Sequence, residues 1–471
     1  MNNMKLNDPF IITIFGASGD LAKIKIFPAL YAMAEAKVLP KKFHIIGYAR
    51  TQKSRQQFQK EFRQSVRNHH KGRVDTKVLN KLLEKVDYFT GDYAAIEDYN
   101  RFSETLDKLD GGKFLRLFYF SVPPIAFRPI IKGLGESHMK KRKKKTRLII
   151  EKPFGEDAHS AEQLFHFVAR YFEDDNVYLL DHYLGKPAVQ SILHLRHSNR
   201  LLNAMLKGRE VANIQITAFE TVGVEDRVGY FERVGMLKDM IQSHLLQILS
   251  LVMMSIPVTE RAVSVQKEKE NILSAFNFLK SPDNVVLGQY ESYKKIEGVP
   301  RSSRTDTFAA LRLFVDRESW YGVPIYIRTG KMLHEKHTYI TVELKKFAFQ
   351  SEEDDPNRVI IELQPNERIS IKLINKHMGG QLVQDVVTSD SIACDDACLP
   401  EHSMLFIDVV NGNKTYFLTF PEIIAAWKVV DSITDVIKKK KVKLNKYKDR
   451  SDGPTAQNKL TALDGFKWYH L

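Results

Sequence analysis

Two places near the N-terminus carry residue types suited to holding phosphate. Gly16-Ala17-Ser18-Gly19-Asp20-Leu21-Ala22 follows the apolar run Phe10–Phe15 and opens a stretch with helical spacing. Glycine there permits a tight turn and close backbone approach to a pyrophosphate, and the helix that follows presents free N–H groups and a positive dipole end. The small Ala22 lets that helix pack close to the strand. A plain strand–helix turn is the bland alternative. The position between strand and helix, at the start of an alternating segment, favours a dinucleotide-binding turn. No GK[ST] ends the run, which argues against a kinase-type P-loop. The second place is the end of the next apolar run, Gly47-Tyr48-Ala49-Arg50-Thr51. Enzymes that use NAD place an acidic side chain there for the ribose 2′-hydroxyl. An arginine suits a 2′-phosphate through forked, charge-assisted hydrogen bonds. Arg50 therefore points to NADP, against the alternative of an ordinary strand-end arginine.

These residues need a sheet to hold them. Phe10–Phe15, Phe43–Gly47, Val86–Phe89, Phe114–Val122 and Leu148–Glu151 read as buried strands with helical segments between them. In the first of those segments, Asp20–Lys37, the residues Leu21, Ile24, Phe27, Leu30, Tyr31 and Ala34 share one side. Strand–helix alternation implies a parallel, doubly wound, Rossmann-like α/β sheet. The pattern changes after about residue 185. Asn213–Glu220 alternates like a strand with one solvated face, and Met236–Met253 reads as one long helix. Tyr326–Arg328, Tyr339–Leu344, Arg358–Gln364, Ile369–Ile374 and Met404–Val410 read as strands without regular helices between them. The expectation is an NADP-binding domain over residues 1–180 and an α+β domain with a mostly antiparallel sheet over 181–471.

Composition sets the frame. A chain of 471 residues is too long for one core, and 43% hydrophobic with 27% charged residues is the profile of a globular protein. No apolar run of about 18 residues suggests a membrane span, and the N-terminus does not read as a secretory signal. Two cysteines, Cys394 and Cys398, build no disulfide framework, so a cytoplasmic setting is expected. As a metal motif one CxxxC is weak, and His334-Glu335-Lys336-His337 is not HExxH; no metal is expected. The net charge of +14 is partly clumped, at Lys140–Lys145 and from Lys438 to Lys448. Solvated faces explain such runs, and no nucleic-acid recognition motif accompanies them.

Six motifs stand in order along almost the whole chain: GASGDLAK (16–23), EKPFG (151–155), DHYLGK (181–186), DMIQSHLLQ (239–247), IRTGKMLHEK (327–336) and LQPNE (363–367). Together they resemble the glucose-6-phosphate dehydrogenase family, as a somewhat divergent, bacterial-type member. The resemblance implies oxidation of D-glucose 6-phosphate at C1 to 6-phospho-D-glucono-1,5-lactone with hydride transfer to NADP, the entry step of the pentose phosphate pathway. It implies a homodimer or homotetramer built through the C-terminal sheet, and no membrane or nucleic-acid partner.

The resemblance also implies roles for single residues. His244 takes the general base, with Asp181 as its carboxylate partner; a neutral histidine suits removal of a hydroxyl proton near pH 7. His182, Tyr183 and Lys186 take the sugar phosphate, and on a helix His182 and Lys186 would share a face as i and i+4. Glu220 and Asp239 resemble residues that hydrogen-bond sugar hydroxyls, and Lys331 and Lys336 look like further substrate contacts. Lys152 falls near both cofactor and sugar, with a cis bond before Pro153. Gly16, Ala17, Ser18, Gly19, Asp20, Leu21 and Arg50 take the cofactor, with Tyr119 lining the nicotinamide side.

Some positions depart from the family pattern. Leu179 and Leu180 replace arginine and isoleucine, Pro187 replaces an acidic residue, and Val228 replaces the first glycine of a GGY triplet. A β-branched residue at Val228 would be strained if that backbone needed positive φ. Asp396-Ala397-Cys398-Leu399-Pro400-Glu401 is a degraded DAYERLL segment. Glu362 stands where the second, structural NADP site of some relatives wants a basic residue, so that site is expected to be missing. Three other readings compete: another two-domain sugar dehydrogenase, which leaves DHYLGK unexplained; a basic nucleic-acid-binding protein, which leaves the histidines and carboxylates without purpose; and a catalytically impaired relative.

Overall fold

The computed structural model describes residues 5–139, 145–259, 261–348, 350, 354–376, 382–389 and 399–471. The chain forms two compact units, Met1–Gly155 with His159–Gly185 and Asp396–Phe420, and Glu156–Ala158 with Lys186–Asp395 and Pro421–Leu471.

The first unit is built on six strands: β1 (Phe10–Phe15), β2 (Phe43–Ala49), β3 (Val86–Thr90), β4 (Leu115–Phe120), β5 (Thr146–Glu151) and β6 (Val177–Leu180). Their order is β3-β2-β1-β4-β5-β6 and every pairing is parallel. All six residues of β1 are buried, as a strand covered on both faces requires. The helical segment after β1 opens with a π-helical turn, Ala22–Ile26, before the regular helix Phe27–Glu35. The wider turn shifts the helical register and leaves Ile24 45% exposed, off the apolar side where regular spacing had put it.

Two expectations fail in this unit. Met404–Val410 is not a strand but part of the helix Glu401–Asn411, closed by Gly412 in the left-handed conformation at φ 79°. A short continuous apolar run fits a buried strand or a buried helix equally. This helix also moves the expected boundary, because residues 399–420 join the first unit. Leu405, Phe406, Val409 and Phe417 share a core with Leu30, Ile14 and Tyr178. The Ser403 hydroxyl donates to Ala29 O at 2.9 Å, and Leu418 N to Leu179 O at 2.9 Å.

The second unit carries a ten-stranded sheet: β7 (Val211–Phe219), β8 (Phe276–Asn277), β9 (Val285–Tyr290), β10 (Phe308–Val315), β11 (Ile325–Gly330), β12 (His337–Leu344), β13 (Arg358–Gln364), β14 (Arg368–Lys376), β15 (Leu382–Ser389) and β16 (Leu444–Tyr447). The order is β15-β14-β13-β12-β7-β11-β10-β9-β16, with β8 beside β10. It is mostly antiparallel; β7–β11 and β9–β16 run parallel. β7 has no solvated face. Asn213, Gln215 and Thr217, which alternate with its apolar residues, are at most 1% exposed. The chain's own end covers them: Gln215 Nε2 donates to Lys467 O at 2.9 Å, and Tyr469 N donates to Gln215 Oε1 at 2.8 Å. Arg328 joins this layer, donating to Thr217 Oγ1 at 2.9 Å and to Tyr469 O at 3.0 Å.

Candidate functional site

In the first unit the phosphate turn sits at the carboxyl edge of the sheet. Gly16 has φ 79°, and a Cβ there would lie 2.1 Å from Ser121 O. Only glycine fits that turn, which brings main chain rather than side chain to the edge. Gly19 N donates to Gly16 O at 2.9 Å, and a helical turn begins at Asp20 with Ala17 and Ala22 buried beneath it. A loop that narrow, followed by unpaired helix-start amides, fits a pyrophosphate.

The strand order then lays out the rest of that edge. Arg50 follows β2, one strand from the turn, and its exposed guanidinium lies 5.6 Å from the Tyr93 ring centre. Tyr93 also shares a hydrogen bond with the Gly16 backbone; burial raises its hydroxyl pKa, while that bond and Arg50 oppose the rise. Tyr93 was missed in the sequence because it follows β3 in an irregular stretch, where neither period nor spacing marks it. On the other side of the turn, β5 ends at Glu151 and β6 at Leu180, which pair with each other. Lys152 and Asp181 are the next residues, two and three strands from β1, or about 10 and 15 Å at ordinary strand spacing. The Lys152–Pro153 bond is cis, as is Gln364–Pro365, which nothing in the sequence marked.

The Asp181 side chain is 1% exposed, and its Oδ1 accepts from Tyr183 N at 2.9 Å. Leu184 N donates to Asp181 O at 3.0 Å and Gly185 N to His182 O at 3.2 Å. Residues 181–185 are thus a turn held by its own aspartate, not a helix, and the i, i+4 argument for His182 and Lys186 fails. Pro187 is the reason on the far side: it opens the helix Pro187–Ser198 and holds Lys186 extended, at φ −72° and ψ 133°, as the N-cap. The His182 and Tyr183 rings lie 5.0 Å apart.

Tyr119 does not reach this edge. It is wholly buried, its ring 5.4 Å from Phe406, and its hydroxyl donates to Glu151 Oε1. His402 Nε2 lies 3.6 Å from the same oxygen. Burial, with the Glu151 charge, raises the Tyr119 pKa well above its ordinary value. The side chain belongs to the support beneath Lys152, so its expected place beside a nicotinamide is corrected.

In the second unit Asp239 and His244 lie on the π-helical segment Leu237–Leu245, which continues as the regular helix Leu246–Met253. The long helix expected there is therefore wound wider over its first half, a feature concentrated at functional sites. His244 is 1% and Asp239 7% exposed. The Tyr230 hydroxyl donates to Asp239 Oδ1 at 3.2 Å, and burial raises its pKa. Val228, two residues before Tyr230, is ordinary helical backbone at φ −50°, so the valine is unstrained. Glu220 and Lys331 come together because β7 and β11 are parallel and pair Phe219 with Gly330; each is the first residue after its strand. Lys331 Nζ forms an ion pair with Glu220 Oε2 and lies 5.5 Å from the Phe231 ring centre. Lys186 is 5% exposed, whereas Lys336 is exposed ahead of β12. Glu362 is buried, accepting from Arg368 Nε at 2.6 Å with His337 Nε2 at 2.9 Å. Cys394, Cys398 and most of the first lysine run lie outside the described residues.

The two units therefore hold a cation-flanked phosphate turn and a cluster of histidine, carboxylates and lysines. The family profiles described as glucose-6-phosphate dehydrogenase, NAD binding domain and C-terminal domain match residues 13–191 and 193–469. Glucose-6-phosphate 1-dehydrogenase 5, cytoplasmic, from Arabidopsis thaliana is 35% identical, covering 98% of this chain and 92% of its own. A solved glucose-6-phosphate dehydrogenase in complex with its substrate glucose-6-phosphate superposes with a TM-score of 0.90 at 30% identity, covering 99% of both chains. Glucose-6-phosphate 1-dehydrogenase from Mycobacterium avium does so at 0.86 and 28% identity, again over 99% of both. The chain belongs to the glucose-6-phosphate dehydrogenase family.

Proposed function

We propose that this protein oxidises D-glucose 6-phosphate at C1 to 6-phospho-D-glucono-1,5-lactone with NADP as acceptor, the entry step of the pentose phosphate pathway. The single observation that carries the reading is the family's full-length match combined with the intact phosphate turn, where a Cβ at Gly16 would fill the cradle. NADP, when bound, supplies the nicotinamide that accepts the C1 hydride. The turn from Gly16 to Leu21 would hold its pyrophosphate, with Gly16 and Gly19 shaping the turn through their own main-chain bonds, and Arg50 would offer a forked cation to its 2′-phosphate.

The chain's own work is to bind, orient and deprotonate. His244 takes the C1 hydroxyl proton as hydride leaves the same carbon, so a carbonyl forms without a free alkoxide. Asp181 is assigned by family likeness as the carboxylate that fixes the imidazole tautomer. His182, Tyr183 and Lys186 bind the sugar phosphate, a dianion that needs donors and positive charge. Glu220 and Asp239 hold the sugar hydroxyls, Lys331 and Lys336 make further substrate contacts, and Lys152 serves sugar and cofactor together. A sugar bound at Glu220 and Lys331 would replace part of their ion pair with its own hydrogen bonds. A homodimer or homotetramer in the cytoplasm completes the reading; light scattering of the purified protein tests the assembly. Among the described residues no helix is long and apolar enough to cross a membrane.

The deciding assay mixes purified protein, glucose 6-phosphate and either NADP or NAD, and follows absorbance of the reduced cofactor. Turnover with NADP at the lower KM supports the reading. Absence of reduction with both cofactors contradicts it.

A further inference from the structure

The segment Leu237–Leu245 carries both Asp239 and His244, so whatever fixes its start fixes them. Its N-cap residue, Met236, makes no side-chain cap. The start follows a sharp kink at Gly235, with φ 65° and ψ 178°, a conformation open to glycine alone. The acceptor comes from far along the chain. Asp306 Oδ2 accepts from Leu237 N at 2.9 Å, and Asp306 O accepts from Met236 N at 2.9 Å. A Cβ at Gly235 would lie 2.5 Å from Asp306 Oδ1, so the glycine and the aspartate are fitted to each other. A carboxylate is also the favourable charge at a helix start.

Asp306 is itself held by its neighbour Thr307, which is fully buried at the head of β10. Thr307 N donates to Gly288 O at 2.8 Å, and Thr307 O accepts from Lys331 N at 2.9 Å and from the Tyr447 hydroxyl at 3.1 Å. One dipeptide therefore grips the start of the His244 segment and the backbone of Lys331, which is ion-paired to Glu220. Desolvation pushes the Asp306 carboxyl up to about 6 against the pull of the amide hydrogen bonds it accepts.

We propose that Asp306 is a positioning residue of the active site, capping the Asp239–His244 segment from across the sequence and setting it against Lys331 and Glu220. The proposal rests on the assignment of His244 as the base. Its test is steady-state kinetics of the full chain with glucose 6-phosphate and NADP, with thermal melting as a control of folding. Asp306→Ala lowers kcat by about tenfold to a hundredfold with KM for NADP within about twofold, since small misplacement of a base costs that much. Asp306→Asn, which keeps an acceptor for Leu237 N, recovers most of the loss. Asp306→Glu keeps the charge but displaces the acceptor, so it loses at least about tenfold, and it serves where the alanine protein does not fold. Wild-type kcat in Asp306→Ala or Asp306→Glu overturns the proposal, as does an asparagine variant as slow as the alanine one. Parallel assay of His244→Asn separates the two failures. Turnover retained there sinks the base assignment; turnover lost there but kept in Asp306→Ala or Asp306→Glu sinks the positioning role alone.

Discussion

The sheet of the first unit has all-parallel strands, a β1 buried throughout, and its ligand residues strung along one carboxyl edge, whereas the sheet of the second unit buries a polar layer under the chain's own C-terminal segment. Gly16, Arg50, Lys152 and Asp181 each follow directly from a strand of the first sheet. Their order along the edge is the strand order. In the second unit Glu220 and Lys331 follow strands, but Asp239 and His244 stand on a widened helix held at its start by a loop residue. A parallel sheet thus sets the residues that follow its strands in an ordered row along one edge. The second unit provides a compact cluster whose geometry depends on contacts between distant segments. Under the proposed function the residues that choose the cofactor, Gly16 and Arg50, stand in the first unit, and the proposed base, His244, stands in the second.

The largest expected effect breaks the second half of that division. His244→Asn lowers kcat by about 10³-fold, as loss of a general base does, measured by steady-state kinetics. The next breaks the first half. Arg50→Ala raises KM for NADP by about tenfold to fiftyfold and leaves KM for NAD nearly unchanged, because only the 2′-phosphate needs the guanidinium. Equal changes for both cofactors would refute the role. The third bears on stability. Gln215→Leu leaves Lys467 O and Tyr469 N without their partner beneath the sheet, which costs about 1–3 kcal/mol in urea unfolding. KM for NADP should not move with it.

The smallest expected effect is a pH dependence in the first unit. Burial pushes the Asp408 carboxyl, on the helix Glu401–Asn411, up to about 6 from an ordinary 3.8. The folded state therefore favours the protonated form, so stability is fullest below the unfolded pKa and declines as pH rises through about 6. Asp408→Asn keeps the oxygen that accepts from Asn413 Nδ2. It should raise Tm by about 1–3 °C at pH near 8 and leave it unchanged near pH 4. A gain of equal size at both pH values would contradict the titration.

The same contrast explains what the sequence made legible. Strand runs, the glycine turn and Arg50 obey local rules of period and backbone freedom, so the first sheet and its phosphate turn could be read directly. The helix Glu401–Asn411 could not, because its apolar run lacks a helical period, though Gly412 marks its end. On β7 the alternation of Asn213, Gln215 and Thr217 was real, but the reading assumed water on that face where the C-terminal segment lies. Asp306 sits in a stretch without periodicity, and its role exists only once Gly235 is folded beside it. Asp239 and His244 were found through family likeness, since nothing local separates them from ordinary helix residues.

The most direct test of the proposed roles is the equilibrium dissociation constant of NADP for the His244→Asn protein, measured by calorimetry beside the unchanged protein. The account predicts the same value within about twofold, despite the loss of turnover, because Gly16 and Arg50 hold the cofactor without help from the base. A loss of NADP affinity as large as the loss of turnover would contradict it.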